Sequence, residues 1–180
     1  MQLTGGQYKG RKITTPKGVR PTLSVVRESV FNALYSYFGD FSGKKFLDMF
    51  SGSGIMTFEA VSRGFNTLSF EINPSVIEIL KENSNILGVN SKFILADSLK
   101  KAPGLKEKFD VIYADPPWAY SYFEIFQICS KLLEQEGLGL VECDIKKKPD
   151  VLLQLSKVGT LELFREKNYG RCCLLFVKLR

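Results

Sequence analysis

The chain has 180 residues and a net charge of +6, with 44% hydrophobic and 24% charged residues. Those values suit one globular domain with a sizeable core. No histidine occurs anywhere, which removes His triads, His general bases and His-rich metal sites together.

Residues 1 to 20 are polar, Gly-rich and basic, with short alternating stretches such as "GRKITT", and read as an arm of β-hairpin type before the main domain. Lys9, Arg11, Lys12, Lys17, Arg20 and Arg27 all precede the first acid, Glu28. Such a segment suits a polyanion or, equally, a solvated surface. From Leu23 to Phe38 the apolar positions recur at helical spacing, with Thr22 or Ser24 available as N-cap. Strands and helices then alternate. "KKFLDMF" reads as a strand and "GIMTFEAVSRG" as a helix ending at Gly64. "NTLSFE" is a strand. Asn73 caps a helix that has Pro74 in its first turn and stops at Gly88. "SKFILAD" and "FDVIYAD" are strands, and a helix covers about Tyr120 to Glu134. "LGLVECD" is a strand, followed by a short helix from Pro149 to Ser156. "LELFREK" and "RCCLLFVKL" flank "NYG" as a hairpin. The alternation implies an α/β fold with a mostly parallel sheet covered on both faces, and the hairpin implies one antiparallel strand. Ligands of such sheets bind at the carboxyl ends of the strands.

Cys129, Cys143, Cys172 and Cys173 form no Cys-x-x-Cys pair and lie in apolar segments, as reduced core thiols do. No apolar run reaches the roughly 18 residues of a membrane span, and the first residues lack a signal-like apolar stretch. A cytoplasmic protein without a membrane partner is expected.

The functional signals cluster at strand ends. "LDMFSGSG" places Gly52 and Gly54 where backbone must turn tightly into a helix. The third glycine of a dinucleotide fingerprint is replaced by Thr57, so a tight turn explains the pair as well. Asp48 disfavours a pyrophosphate nearby and favours a cationic ligand. Glu71 ends the next strand, where an acid accepts from ribose hydroxyls. Asp97 ends the third, in "LADSL". Three carboxylates at successive strand ends suit a positively charged nucleoside such as S-adenosylmethionine (AdoMet). The fourth strand ends in "DPPW". Proline fixes φ and pushes the preceding residue into extended conformation, so Asp115, Pro116, Pro117 and Trp118 form a stiff loop offering a carboxylate, a carbonyl and an indole.

"LDMFSGSG", "FEIN", "ADSL" and "DPPW", in this order, resemble the class I amino-methyltransferases, in which a tetrapeptide of this type marks methylation of exocyclic or amide nitrogen. "GRKITTPKGVRPTLSVVRESVFN" is similar to the opening of the bacterial small-subunit (16S) ribosomal RNA (guanine-N2)-methyltransferases, RsmD-type. The resemblance covers essentially the whole chain, "NYG" included. It implies a Rossmann-like seven-stranded sheet over residues 41–180, preceded by an RNA-facing arm and helix over 1–40. It implies that Asp48, Phe50, Ser51, Gly52, Gly54, Glu71, Ile72, Asp97, Ser98 and Asp115 bind AdoMet, with no metal. Asp115 and the Pro116 carbonyl would orient the target nitrogen, and Trp118 would stack on the base. Tyr8, Arg11, Lys12, Arg20 and Arg27 would contact RNA. The implied partner is 16S ribosomal RNA within the small subunit or a late assembly intermediate, met by a monomer. Trp118 stands where Phe or Tyr is commoner and also occurs in cytosine-N4 enzymes. An adenine-N6 or cytosine-N4 methyltransferase acting on DNA or RNA, or an inactive RNA-binding assembly factor, are the alternatives.

Overall fold

A computed structural model describes residues 1–19, 22–117 and 119–180. The elements are α1 (Ser24–Phe38), β1 (Lys45–Asp48), α2 (Ile55–Ser62), β2 (Asn66–Glu71), α3 (Pro74–Leu87), β3 (Lys92–Leu95), α4 (Ser98–Lys101), a 3-10 turn (Ala102–Gly104), β4 (Phe109–Ala114), α5 (Tyr122–Leu132), β5 (Leu133–Asp144), α6 (Lys148–Ser156), β6 (Leu161–Tyr169) and β7 (Cys172–Leu179). The seven strands form one sheet in the order β3-β2-β1-β4-β5-β7-β6. Among the described residues no helix is long and apolar enough to cross a membrane. The chain divides into two compact units, Met1–Ala96 and Asp97–Arg180.

In the first unit β1, β2 and β3 run parallel, with Asp48 opposite Ser69 and Glu71 opposite Leu95. Phe31, Phe41, Phe46 and Phe65 are buried together, and the Phe41 and Phe65 rings stack at 4.5 Å. The α1 helix turns Val26, Val30, Phe31 and Leu34 inward. Its N-cap is Leu23 and carries no side-chain cap bond, so neither Thr22 nor Ser24 caps it as expected. The α3 helix obeys its sequence signals. The Asn73 side chain accepts from Ser75 N at 3.0 Å, Pro74 follows, and Gly88 ends the helix in left-handed conformation.

The arm is docked on this unit. Gln2 and Lys12 form an antiparallel bridge, and Leu3 and Ile13 are buried. Gln7 N donates to Ser62 O at 2.6 Å and Tyr8 N to Ser62 Oγ at 2.9 Å. The buried Asn83 side chain accepts from Thr14 N at 2.8 Å and donates to Thr14 O at 2.9 Å. Thr4 donates through N and Oγ1 to Glu59 Oε1 at 2.8 and 2.9 Å. Glu59 is fully buried and paired with both Arg27 and Arg63.

In the second unit β4 and β5 are parallel, while β7 runs antiparallel to both β5 and β6. The hairpin thus supplies the one reversed strand. Leu138, Leu140 and Val141 of β5 and Leu174 to Val177 of β7 fill the core. All four cysteines are free thiols. Burial pushes Cys129 and Cys143 up to about 12, which keeps them protonated and unreactive.

Candidate functional site

The loop from β1 to α2 is tied to β2 along its length. Ser51 donates to Phe70 O through N at 2.9 Å and Oγ at 3.0 Å. Gly52 has φ +47 and donates to Glu71 Oε2 at 2.9 Å. Gly54 has φ +74, and a Cβ there would collide with Leu80 and the Phe58 ring. Both glycines are therefore demanded by backbone conformation and close packing. The other Glu71 oxygen accepts from Ile72 N and Asn73 N, each at 2.9 Å. Three backbone N–H groups fix this carboxylate and leave part of its acceptor capacity open. Ile72 is exposed beside it, an apolar surface at the strand end. Phe50 is half-buried.

Asp48 is 1% exposed. Its oxygens accept from Thr57 Oγ1 at 2.8 Å and Phe50 N at 3.3 Å. Burial raises its pKa to about 7, against the lowering effect of the Thr57 and Phe50 bonds. Through these bonds Asp48 ties the start of the loop to α2. Thr57, at the position of the missing third glycine, bonds Asp48 and shares a 2.8 Å bond with Ser69 Oγ. A hydroxyl in an apolar helix, nine residues after an acid, is the sequence signal that could have found this role.

In the second unit Asp97 caps α4, accepting from Leu99 N at 3.0 Å, with Lys100 3.8 Å away. Ser98 is buried and its Oγ has no hydrogen-bond partner among the described residues. An orphaned buried hydroxyl of this kind calls for a ligand or water. After β4, Asp115 and Pro117 are exposed and Pro116 is buried. Tyr120 N donates to Pro117 O at 3.0 Å, closing the turn. The expected roles of Trp118 and Arg20 fall outside the described residues. One residue beyond the paired positions Ala114 and Val141, Glu142 is 7% exposed. It accepts from Tyr113 OH at 2.5 Å and Cys172 Sγ at 3.0 Å. This buried acid was visible in "LGLVECD", where a carboxylate interrupts an apolar strand.

Of the basic candidates, Arg11 and Lys12 are exposed and Tyr8 is half-buried. Arg11 Nη2 donates to Ile86 O at 3.2 Å. Arg27 differs from these two. It is 6% exposed, and its guanidinium donates to Glu59 Oε1 at 3.1 Å, Thr22 O at 2.7 Å and Gln2 O at 3.0 Å. In this fold it serves as a structural cation.

Residues 1–178 match the family model described as Conserved hypothetical protein 95. The chain belongs to this family. It is 31% identical over 177 residues to ribosomal RNA small subunit methyltransferase D of Haemophilus influenzae, covering 94% of this chain and 84% of that one. Among solved structures, yhhF of Escherichia coli superposes with a TM-score of 0.85 at 25% identity, over 100% of this chain and 98% of that one. The Thermus thermophilus 16S rRNA N2 G1207 methyltransferase (RsmC), solved with AdoMet and guanosine, superposes at 0.72 with 16% identity, over 91% of this chain and 44% of that one. At that identity it shows the fold alone. The sheet order and these superpositions establish the class I methyltransferase fold that the motifs implied, and the RsmD-type family as the one the chain belongs to.

Proposed function

We propose that this protein transfers a methyl group from AdoMet to the exocyclic N2 amine of one guanine in 16S ribosomal RNA, in the cytoplasm, on the small subunit or a late assembly intermediate. The observation that carries the reading is the Asp115-Pro116 turn: an exposed carboxylate held extended before a buried proline at the end of β4. A guanine amine is a poor nucleophile because its lone pair is delocalised into the ring. Asp115 and the Pro116 carbonyl can each accept one N–H, so that the lone pair turns out of the ring plane. The prolines fix both acceptors in advance, and the gain is orientation and electrostatics. The extra proton leaves after transfer, which needs no histidine. The base must be unstacked to reach the loop.

The residues present fit the cofactor. The orphaned Ser98 hydroxyl beside Asp97 offers donor and acceptor to an adenine edge. Glu71 retains acceptor capacity for ribose hydroxyls, with exposed Ile72 as an apolar neighbour. Ser51, Gly52 and Gly54, with Phe50 before them, form the loop for the methionine end, and Asp48 supports it through Thr57 and Phe50 N. When bound, AdoMet supplies an electrophilic methyl group. Arg11 and Lys12, exposed on the arm with Tyr8 nearby, would meet the phosphate backbone.

Methyl-labelled AdoMet, incubated with the protein and small ribosomal particles from cells lacking this modification, tests the reading. N2-methylguanosine at one position is expected after digestion. Label on DNA, protein or another base would overturn it. Asp115→Ala should abolish turnover while lowering AdoMet affinity far less.

A further inference from the structure

We propose that Glu142 is a specificity-determining residue, whose carboxylate accepts the N1–H of the target guanine and so rejects adenine and cytosine. The assignment rests on the reading above, in which Asp115 holds the reacting amine.

Strand register brings the two acids to one level. Ala114 pairs with Val141 in parallel register, so Asp115 and Glu142 each come next along adjacent strands. Side chains alternate across a sheet, so Tyr113 shares its face with Leu140 and Glu142, and Asp115 follows immediately past the end of β4. The bond from Tyr113 OH to Glu142 Oε1 establishes that face for Glu142. From the third strand, Cys172 Sγ reaches Glu142 Oε2. Burial pushes the Cys172 thiol up, and the Glu142 and then the Asp115 carboxylates add to it.

The chemistry of this carboxylate is unusual. It is 93% withdrawn from solvent, being 7% exposed, and both its bonding partners are neutral. Two donors occupy two of its roughly four lone-pair positions. A buried carboxylate with acceptor capacity left, and no cation paired with it among the described residues, suits a ligand rich in N–H donors. Tyr113 and Cys172 clamp one oxygen each and fix the direction of the remaining lone pairs.

Guanine presents such an edge. Its N2 amine adjoins N1–H, a donor. The amine of adenine adjoins N1, and that of cytosine adjoins N3; both are acceptors. With the amine held at Asp115, a carboxylate at the next ring position bonds guanine and faces a lone pair on either other base. Sites built to hydrogen-bond one group reject analogues lacking it far more strongly than apolar pockets do.

The test compares Glu142→Gln with the unaltered enzyme on two particles: one with guanine at the mapped position and one with adenine there. The isosteric amide can donate to a ring acceptor. The ratio of kcat/KM for guanine over adenine should fall at least tenfold, within the range of about 10⁴ available to such discrimination. AdoMet affinity should stay unchanged. A structural defect would lower both rates together, so an unaltered ratio overturns the assignment. Tyr113→Phe supplies a second reading should Glu142→Gln not fold. It releases one oxygen from its clamp and should move the ratio in the same direction. If the unaltered enzyme methylates no guanine, the function proposed above falls and takes this assignment with it. Methylated guanine with an unaltered ratio in the variants defeats this assignment alone.

Discussion

Glu59→Gln isolates the ion cluster that joins the arm to α1 and α2. The Glu59 carboxylate is fully buried, and Arg27 is 6% exposed. Oε1 accepts from Thr4 N, Thr4 Oγ1 and Arg27 Nε at 2.8, 2.9 and 3.1 Å, while Oε2 accepts from Arg63 Nη1. Glutamine preserves the volume, so no cavity term enters. Its NH2 must replace one oxygen, and both positions face donors. Two guanidinium groups then share a poorly solvated region with no anion between them. Breaking a buried pair from one side costs about 3–5 kcal/mol, a large fraction of the roughly 5–15 kcal/mol that holds a domain folded. Urea denaturation followed by circular dichroism should show that loss as a lower midpoint at constant slope. Exchange of the Thr4 and Gly10 amides should also quicken relative to Val30 and Leu34, because Thr4 loses its acceptor. A loss below about 1 kcal/mol would place the cluster with exposed ion pairs, whose median contribution is no more than that, and would refute the reasoning.

Further outcomes follow from the same contacts. Asp48 has its pKa raised by burial from 3.8 to about 7, so between those values the folded chain keeps a proton that the unfolded chain has lost. Its contribution is full below about pH 4, declines as pH rises, and levels off above about pH 7, a span of about 4 kcal/mol at 1.36 kcal/mol per unit. Asp48→Asn should remove that slope in denaturation curves taken across the window; a variant with the unaltered slope would assign it elsewhere. Gly54→Ala forces a side chain into left-handed backbone and against Leu80 and Phe58; it should cost at least about 1–3 kcal/mol in a thermal melt and weaken AdoMet binding measured by calorimetry. Asn83→Ala strands both backbone groups of Thr14; a loss of about 1–3 kcal/mol and faster exchange of the Thr14 amide are expected.

The elements with local punctuation were readable in advance. Asn73, Pro74 and Gly88 mark α3 at both ends, and "NYG" between two apolar runs marks the β6–β7 hairpin. The four residues of α4 were not, since one helical turn shows no periodicity. Leu23 as N-cap was hidden too, because Thr22 and Ser24 flank it with the capping chemistry that Leu23 lacks. The β1–α2 loop was legible because glycines at positive φ leave a pattern. The buried ions were not. Arg27 and Glu59 lie 32 residues apart, and each alone reads as an exposed charge. Only tertiary packing shows that the basic segment spends one of its cations inside.

The docked arm also orders events in time. Thr4 finds its partner 55 residues later, at Glu59, and Thr14 finds its own 69 residues later, at Asn83. During synthesis Thr4 and Thr14 are thus left without their partners until α2 and α3 exist. Closing such long loops costs chain entropy before any contact forms. Through that interval the nascent chain carries an unshielded cationic segment next to the RNA of the ribosome that is making it. Arg27 remains solvated until Glu59 arrives to neutralise it. Loop closure of this length predicts that these residues are placed last: a refolding experiment should find their amides protected after those of β1 and β2.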